Sequence, residues 1–343
     1  MKRALVTGGC GFIGSNLTKE LVKQGWQVDI VDDMSNGHLE LLEGLKFKTL
    51  PNASFIYHFM QQMKGKTKRS KNTVLIVQDD FAAPPLLEYI KTKAYDVIFH
   101  QAAVPRVSYS VEHPYETTIA NIAKTVALFD AAKDSVKRIV NASSSSVYGI
   151  ADKLPTKESE NGKDPKSPYA WQKSAIEDYS KICWDLYQLD IVNLRYFNVF
   201  GPGQYGNSPY STAVSAWCHA IKNGLECRSD GDGEQTRDMC YVDNIVSANI
   251  LAADATGTFK GLEYNIACGD RTSNNQILEY LKEKFGGKVK VKHAPARPGD
   301  VKHTQADVSY ATKDFGYKPL VRFWEGLDRT IEWWGLNSFE DNK

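Results

Sequence analysis

Apolar residues in the first two hundred positions fall into short runs, each closed by small or polar residues. Arg3–Thr7, Val28–Val31, Thr73–Val77, Tyr95–Phe99, Lys137–Val140 and Ile191–Arg195 read as buried strands. Between them the apolar period lengthens to that of a helix, as at Leu17, Leu21 and Val22, and at Val126, Leu128, Phe129 and Ala132. Strand and helix alternate over the first 150 residues, which predicts a doubly wound parallel α/β sheet. Such sheets bind ligands beyond the carboxyl ends of their strands. Gly8–Gly14, Asp32, Asp80, His100–Ala103 and Ser143–Ser146 all hold strand-end positions, so one crevice is expected to collect them.

The pattern is poor from Leu39 to Lys71, where Lys64, Lys66, Lys68, Arg69 and Lys71 predict a solvated basic loop. Beyond Tyr196 the composition turns to Gly201–Pro209 turn residues and a helix containing Trp217 and Ile221. A smaller mixed α/β C-terminal domain is expected. The division is placed at 1–196, with a returning segment near 238–256, against 197–237 and 257–335.

Three glycines, Gly8, Gly11 and Gly14, stand three apart between the first strand and first helix in G-G-C-G-F-I-G. Glycine there lets the backbone approach a pyrophosphate, which then rests on helix N-terminal amides. The second strand ends in Asp32-Asp33. An acid at this point suits the hydroxyls of an adenosine ribose and repels a 2′-phosphate, favouring NAD over NADP. The small residues of H-Q-A-A at 100–103 would let a cofactor lie against the backbone.

The chain's candidate chemistry lies in N-A-S-S-S-S-V-Y-G (141–149) and S-P-Y-A-W-Q-K (167–173). Pro168 marks a helix start, so Tyr169 and Lys173 fall at i and i+4 on one face. A phenol beside an ammonium is an acid–base device, because the cation favours the phenolate and is expected to bring its pKa toward working pH. A serine hydroxyl from the strand end could share the reacting oxygen. Two other pairs have the same spacing, Tyr89/Lys93 and Tyr280/Lys284, but neither has this context and both read as helix surface. Further on, Asp230–Asp238 forms a tight loop presenting Arg237, and A-R-P-G-D at 296–300 presents Arg297 and Asp300. Two arginines on separate loops suit bidentate binding of a diphosphate.

Charge narrows the classes. A net +1 over 343 residues leaves no basic footprint for nucleic acid. No apolar run approaches 18 residues, so no membrane span is expected. The six cysteines show no metal-ligand spacing and read as free thiols in a reducing cytoplasm. No metal site is expected.

The motifs together cover nearly the whole chain: V-T-G-G-C-G-F-I-G, V-D-D, H-Q-A-A, S-S-S-S-V-Y-G, P-Y-A-W-Q-K, L-R-Y-F-N-V-F-G-P, D-G-E-Q-T-R-D-M-C-Y-V-D-N and R-P-G-D-V. They resemble the UDP-sugar 4-epimerase branch of the extended short-chain dehydrogenase/reductase family. The resemblance implies Ser144, Tyr169 and Lys173 as catalytic residues. It implies NAD as cofactor, held by Gly8, Gly11, Phe12, Ile13, Gly14, Asp32 and Asp33. Asp80 and Phe81 would meet the adenine, with Gln101, Ala102, Ala103, Asn121, Tyr169, Lys173, Tyr196 and Val199 lining the crevice. Ser144, Tyr169, Asn198, Arg237, Arg297, Asp300 and Thr304 are implied to meet a UDP-sugar. A homodimer through helices near Asn121–Lys133 and Tyr169–Tyr187 is also implied.

Dehydrating relatives carry Asp-Glu directly after the catalytic hydroxyl, where this chain has Ser145 and Ser146. Epimerases restricted to plain hexoses carry a Tyr where Thr304 stands, so the resemblance favours UDP-GlcNAc/UDP-GalNAc, with UDP-glucose/UDP-galactose as well. UDP-glucuronate 4-epimerases share the serine run but show an Arg in the Ser108-Tyr109-Ser110 segment; that activity is the alternative. An NAD-bound regulatory protein on the same fold is a third.

Overall fold

The computed structural model describes residues 1–51, 73–207, 211–296 and 301–336. The basic stretch 64–71, Arg297 and Asp300 lie outside them. Eight strands form the central sheet: β1 (Arg3–Thr7), β2 (Gln27–Asp32), β3 (Lys46–Pro51), β4 (Thr73–Gln78), β5 (Val97–His100), β6 (Arg138–Ser144), β7 (Ile191–Tyr196) and β8 (Glu263–Ile266). Their order is β8-β7-β6-β5-β1-β2-β4-β3. The pairs β3–β4, β4–β2, β2–β1, β1–β5 and β5–β6 all run parallel. This is the expected doubly wound sheet. Chain order reverses between β1 and β5, so their carboxyl ends flank the switch-point crevice.

Helices α1 (Phe12–Lys23), α2 (Pro84–Lys91), α3 (Val107–Glu112), α4 (Pro114–Thr118), α5 (Lys124–Ala132), α6 (Pro168–Tyr187) and α7 (Val242–Asp254) accompany the sheet. One sheet face buries Leu5, Leu75, Ile98, Ile139 and Ile191 against Ile90 of α2, Leu128 and Phe129 of α5 and Ile176 of α6. Each such side chain contributes roughly 1.5–3 kcal/mol by leaving water.

Within the stretch from Leu39 to Lys71, where the hydrophobic pattern is poor, the structure places strand β3. It pairs with β4 from Lys46↔Thr73 to Pro51↔Gln78. It is the edge strand, with Lys46, Phe47 and Lys48 exposed and Leu50 deeply buried. A lysine-rich edge strand protects the sheet from further pairing, and that polarity hid it from a hydrophobic reading.

The chain divides into two compact units. The first comprises Met1–Ser144, Ser167–Arg195 and Ala248–Tyr264; the second comprises Ser145–Lys166, Tyr196–Ser247 and Asn265–Lys343. Residues 145–166, expected in the first domain, group with the second. Within that unit Asn265 accepts from Tyr148 Oη at 2.8 Å and donates to the Thr156 carbonyl at 2.9 Å. Asp307 N also donates to the Thr156 carbonyl, at 2.8 Å. The returning segment runs 248–264 rather than 238–256. No helix among the described residues is long and apolar enough to cross a membrane.

Candidate active site

The glycine turn after β1 is built for backbone contact. Gly8 has φ +67°, and a Cβ there would lie 2.9 Å from Ala102 Cα. A Cβ on Gly14 would stand 2.1 Å from the Gly8 carbonyl oxygen, far inside contact distance. Helix α1 starts at Phe12-Ile13 behind Gly11, with no side-chain cap and no acid in its first turn. Its amides thus keep their capacity for an anion.

Asp32 is buried and closes onto this turn, accepting from Cys10 N and Met34 N, both at 2.9 Å. Burial raises its pKa above the ordinary carboxylate value. Asp33 is exposed and accepts from Ser35 N at 2.9 Å and Ser35 Oγ at 2.6 Å, closing a local turn. Of the two acids, Asp32 therefore faces the fingerprint. An uncapped helix start, a turn with no room for side chains and one facing acid fit an adenine dinucleotide.

The β5 end is held rigid on the other side. Thr7 Oγ1 lies 2.7 Å from His100 Nδ1 and accepts from Ala102 N at 3.2 Å. His100 Nε2 lies 3.0 Å from Thr125 Oγ1, and burial lowers the ring's pKa to about 3, keeping it neutral. Phe81 packs edge-on against His100, ring centroids 4.9 Å apart, while Asp80 pairs with Lys124. Gln101 donates to Asn249 at 3.0 Å, and Ala103 completes the small-residue segment.

Asn121 sits in a π-helical turn, Ile119–Ala123, of the kind found at functional sites. Its amide accepts from Val104 N at 2.8 Å and donates to Gln172 Oε1 at 2.8 Å. Gln172 in turn donates to Thr117 and Thr118 at 3.0 and 3.1 Å. Asn121 thus buttresses the crevice wall against α6.

Helix α6 begins at Pro168, capped by Ser167 Oγ, which accepts from Ala170 N at 3.2 Å. Tyr169 N donates to Ser110 Oγ at 3.1 Å, so the first turn is pinned from both sides. Tyr169 and Lys173 are both buried, and the Tyr169 side chain hydrogen-bonds Ser144. Three dispersed residues, Ser144, Tyr169 and Lys173, are therefore gathered as their motifs predict.

The electrostatics differ from expectation. Burial raises the Tyr169 pKa to about 12, and the Ser144 hydrogen bond opposes this. Lys173 does not lower it here: Nζ stands 6.0 Å from the Tyr169 ring centroid and donates to the Ala142 carbonyl at 2.6 Å. Burial in turn lowers the Lys173 pKa to about 8, opposed by the negative charge of Glu177. Desolvation, invisible in a motif, outweighs the pairwise attraction.

In the second unit, Asn198 and Thr304 meet at the backbone of Asp238, next to Arg237. Asn198 Nδ2 donates to the Asp238 carbonyl at 3.1 Å and to Thr304 Oγ1 at 3.3 Å. Thr304 Oγ1 also accepts from Asp238 N at 3.1 Å. Arg237 NH1 donates to the Lys302 carbonyl at 3.2 Å. The buried Asp238 carboxylate accepts from Cys268 N, Gly269 N and Ala306 N, each at 3.0 Å. Burial still raises its pKa to about 7. Tyr196 and Val199 also fall in this unit, and Val199 pairs with Cys240.

The sequence analysis singled out neither Glu177 on α6 nor its ion-pair partner Arg195 on β7, and gave Asp238 no role of its own. The one available signal was Glu177's place four residues beyond Lys173. All six cysteines are free and buried, and no His/Cys/Asp/Glu cluster for a metal occurs among the described residues.

A doubly wound sheet with a glycine turn, a facing acid and a Ser144 hydroxyl bonded to the buried Tyr169 near the buried Lys173 defines the class of site found in nucleotide-dependent oxidoreductive enzymes. The chain belongs to the NAD dependent epimerase/dehydratase family, whose description matches residues 4–267. It is 31% identical to the UDP-glucose 4-epimerase of Mycolicibacterium smegmatis, over 96% of this chain and 97% of that one. It is 32% identical to the UDP-glucuronate 4-epimerase of Thermodesulfobacterium geofontis, over 96% and 95%. Among solved structures it resembles the UDP-N-acetylglucosamine 4-epimerase of Methanobrevibacter ruminantium, in complex with UDP-N-acetylmuramic acid. That match has TM-score 0.84 and 36% identity, over 98% and 99% of the two chains.

Proposed function

We propose that this protein epimerises a UDP-sugar at carbon 4 through a 4-keto intermediate, favouring UDP-GlcNAc/UDP-GalNAc and accepting UDP-glucose/UDP-galactose. The observation that carries this reading is the buried Tyr169 phenol, hydrogen-bonded to Ser144 one helical turn before Lys173. Ser145 and Ser146 stand where a dehydrating enzyme needs an acid and a base.

Bound NAD supplies the hydride acceptor and donor at carbon 4. Gly8, Gly11, Gly14 and the first amides of α1 would hold its pyrophosphate, and Asp32 its adenosine ribose. Tyr169 Oη, acting as the phenolate, takes the proton of the sugar 4-hydroxyl and, as the phenol, later returns it, while Ser144 Oγ shares that oxygen. Lys173, its pKa lowered to about 8 by burial, would hold the nicotinamide ribose as a cation. Arg237 and Arg297 would hold the diphosphate while the keto sugar turns its other face, and Asn198 and Asp300 would also meet the UDP part. The small Thr304 leaves room for an N-acetyl group.

Exposed Trp171, Ile182 and Leu186 along α6, with Val107, Val111 and Tyr115, support pairing of two copies. The free buried cysteines fit a reducing cytoplasm.

Arg106 favours UDP-glucuronate as a second reading. Its Nε is buried without a hydrogen-bond partner among the described residues. Its carbonyl accepts from Ser110 N at 2.9 Å, and Ser110 Oγ meets the Tyr169 amide. A sugar carboxylate would satisfy that guanidinium.

The test is epimerisation of UDP-GlcNAc, UDP-glucose and UDP-glucuronate side by side, with products read by NMR. Turnover of UDP-GlcNAc is the expected result. Turnover of UDP-glucuronate alone, lost in Arg106→Gln, would establish the second reading. Turnover of none would overturn both.

A further inference from the structure

Beneath the catalytic helix lies an ion pair that the chemistry above leaves unused. Glu177 is fully buried on α6, four residues beyond Lys173 and eight beyond Tyr169, on their face of the helix. Its Oε1 accepts from Ser143 Oγ at 2.6 Å and Arg195 Nε at 2.8 Å; its Oε2 accepts from Arg195 NH2 at 2.7 Å. Arg195, on β7, is 1% exposed and also stands 3.3 Å from Glu263 on β8. A buried ion pair is weak evidence for stability, because desolvation offsets its attraction; setting one geometry is its better attested role.

The geometry here is that of the catalytic set. Ser143 immediately precedes Ser144 on β6, and Ala142 accepts from Lys173. The Glu177 carboxylate therefore ties the end of β6 to α6, two elements that must hold register for Ser144, Tyr169 and Lys173 to meet. We propose that Glu177 is a positioning residue for Lys173 and Ser144, and that Arg195 holds it charged and oriented for that task. The inference rests on the catalytic reading of Ser144, Tyr169 and Lys173.

The charged and titratable groups around Lys173 are Glu177 and Tyr169 on its own helix and His100 on β5; β6 offers it the Ala142 carbonyl. Behind Glu177 stand Arg195 and, beyond it, Glu263 and Lys181. Glu177 is thus the negative charge nearest Lys173 along α6, and removing it should make the ammonium easier to deprotonate.

The experiment compares the unsubstituted enzyme with Glu177→Gln in two ways: kcat and KM against pH, and NMR titration of Lys173 in 13C-lysine-labelled protein, assigned through Lys173→Arg. The amide keeps the size but not the charge. Expected are a Lys173 midpoint lower by about one pH unit and an alkaline fall in kcat displaced the same way. At fixed pH kcat should drop by roughly 10- to 100-fold, as a displacement of about 1 Å at a catalytic group does, with KM nearly unchanged.

Lower stability with the Lys173 midpoint and the pH profile both unmoved would reduce Glu177 to a packing residue and overturn the proposal. Should Glu177→Gln fail to fold, Ser143→Ala removes one tie while leaving the ion pair. A severalfold loss in kcat without change in KM would then support the positioning role, and unsubstituted kinetics would sink it. If the unsubstituted enzyme epimerises no UDP-sugar, the catalytic reading fails, whereas the Lys173 titration still decides what Glu177 does.

Discussion

Lys173 Nζ donates to the carbonyl oxygen of Ala142 at 2.6 Å, so the ammonium is anchored to the end of β6 while the Tyr169 phenol pairs with Ser144. A buried cation held by one carbonyl is costly, and its lowered pKa of about 8 against the ordinary 10.5 reflects this. Between those values the unfolded chain binds a proton that the folded chain has lost, so stability rises with pH across that window. At neutral pH the buried charge costs on the order of 3 kcal/mol, less the hydrogen bond it makes. Lys173→Met should therefore abolish turnover yet raise unfolding stability at pH 7 by about 1–3 kcal/mol. Urea unfolding at pH 7 and 9.5 checks the sign: the gain should shrink at the higher pH.

Tyr169→Phe keeps the ring and its packing but removes the proton carrier. Turnover should fall by roughly 10²–10⁴-fold, the usual worth of a positioned acid–base group. Equilibrium dialysis with UDP-sugar should show binding within a small factor of the unsubstituted protein. Normal turnover in this variant would rule the mechanism out.

At Gly14 an added methyl would meet the Gly8 carbonyl at 2.1 Å. Gly14→Ala should open the turn, costing about 1–3 kcal/mol by overpacking. The readout is NAD released on denaturing the purified protein, expected to be near zero. Gly25, with φ +82° and open space around it, is the contrasting site: Gly25→Ala should leave NAD content unchanged and lower only stability.

Asp238 holds three backbone amides through one carboxylate. In Asp238→Asn the amide NH2 must face at least one of those donors, leaving it unsatisfied at a cost of about 1–3 kcal/mol. Because its pKa of about 7 lies above the ordinary 3.8, the folded state holds a proton between those values that the unfolded state releases. Stability from this group is present in full below about pH 4 and is lost as pH rises to 7. Thermal unfolding from pH 4 to 8 should show that slope in the unsubstituted protein and not in the variant.

Thr304→Tyr would put a bulky ring beside Asn198, which now donates to the Thr304 hydroxyl. UDP-GlcNAc turnover should fall by about tenfold or more, the discrimination a crowded pocket supplies, with UDP-glucose turnover changed far less. Equal losses on both would mean that Thr304 does not set the sugar.

The local features of this protein were legible from its sequence. Alternating apolar periods give the parallel sheet, because burial on both faces demands continuous apolar strands. The glycine spacing gives the turn, and Pro168 sets the phase that stacks Tyr169 on Lys173. Each of these depends on neighbours within a few residues. What tertiary structure alone decided depends on partners far along the chain. Strand β3 is held by backbone bonds to β4 rather than by an apolar face of its own. Asp32 rather than Asp33 faces the glycine turn because only Asp32 is reached by Cys10 N. The direction of the Tyr169 pKa follows from burial, which no i, i+4 spacing reports. Glu177 and Asp238 became visible only when Arg195, Ser143, Cys268 and Ala306 were brought around them. A buried charge is defined by what surrounds it, and folding determines those surroundings.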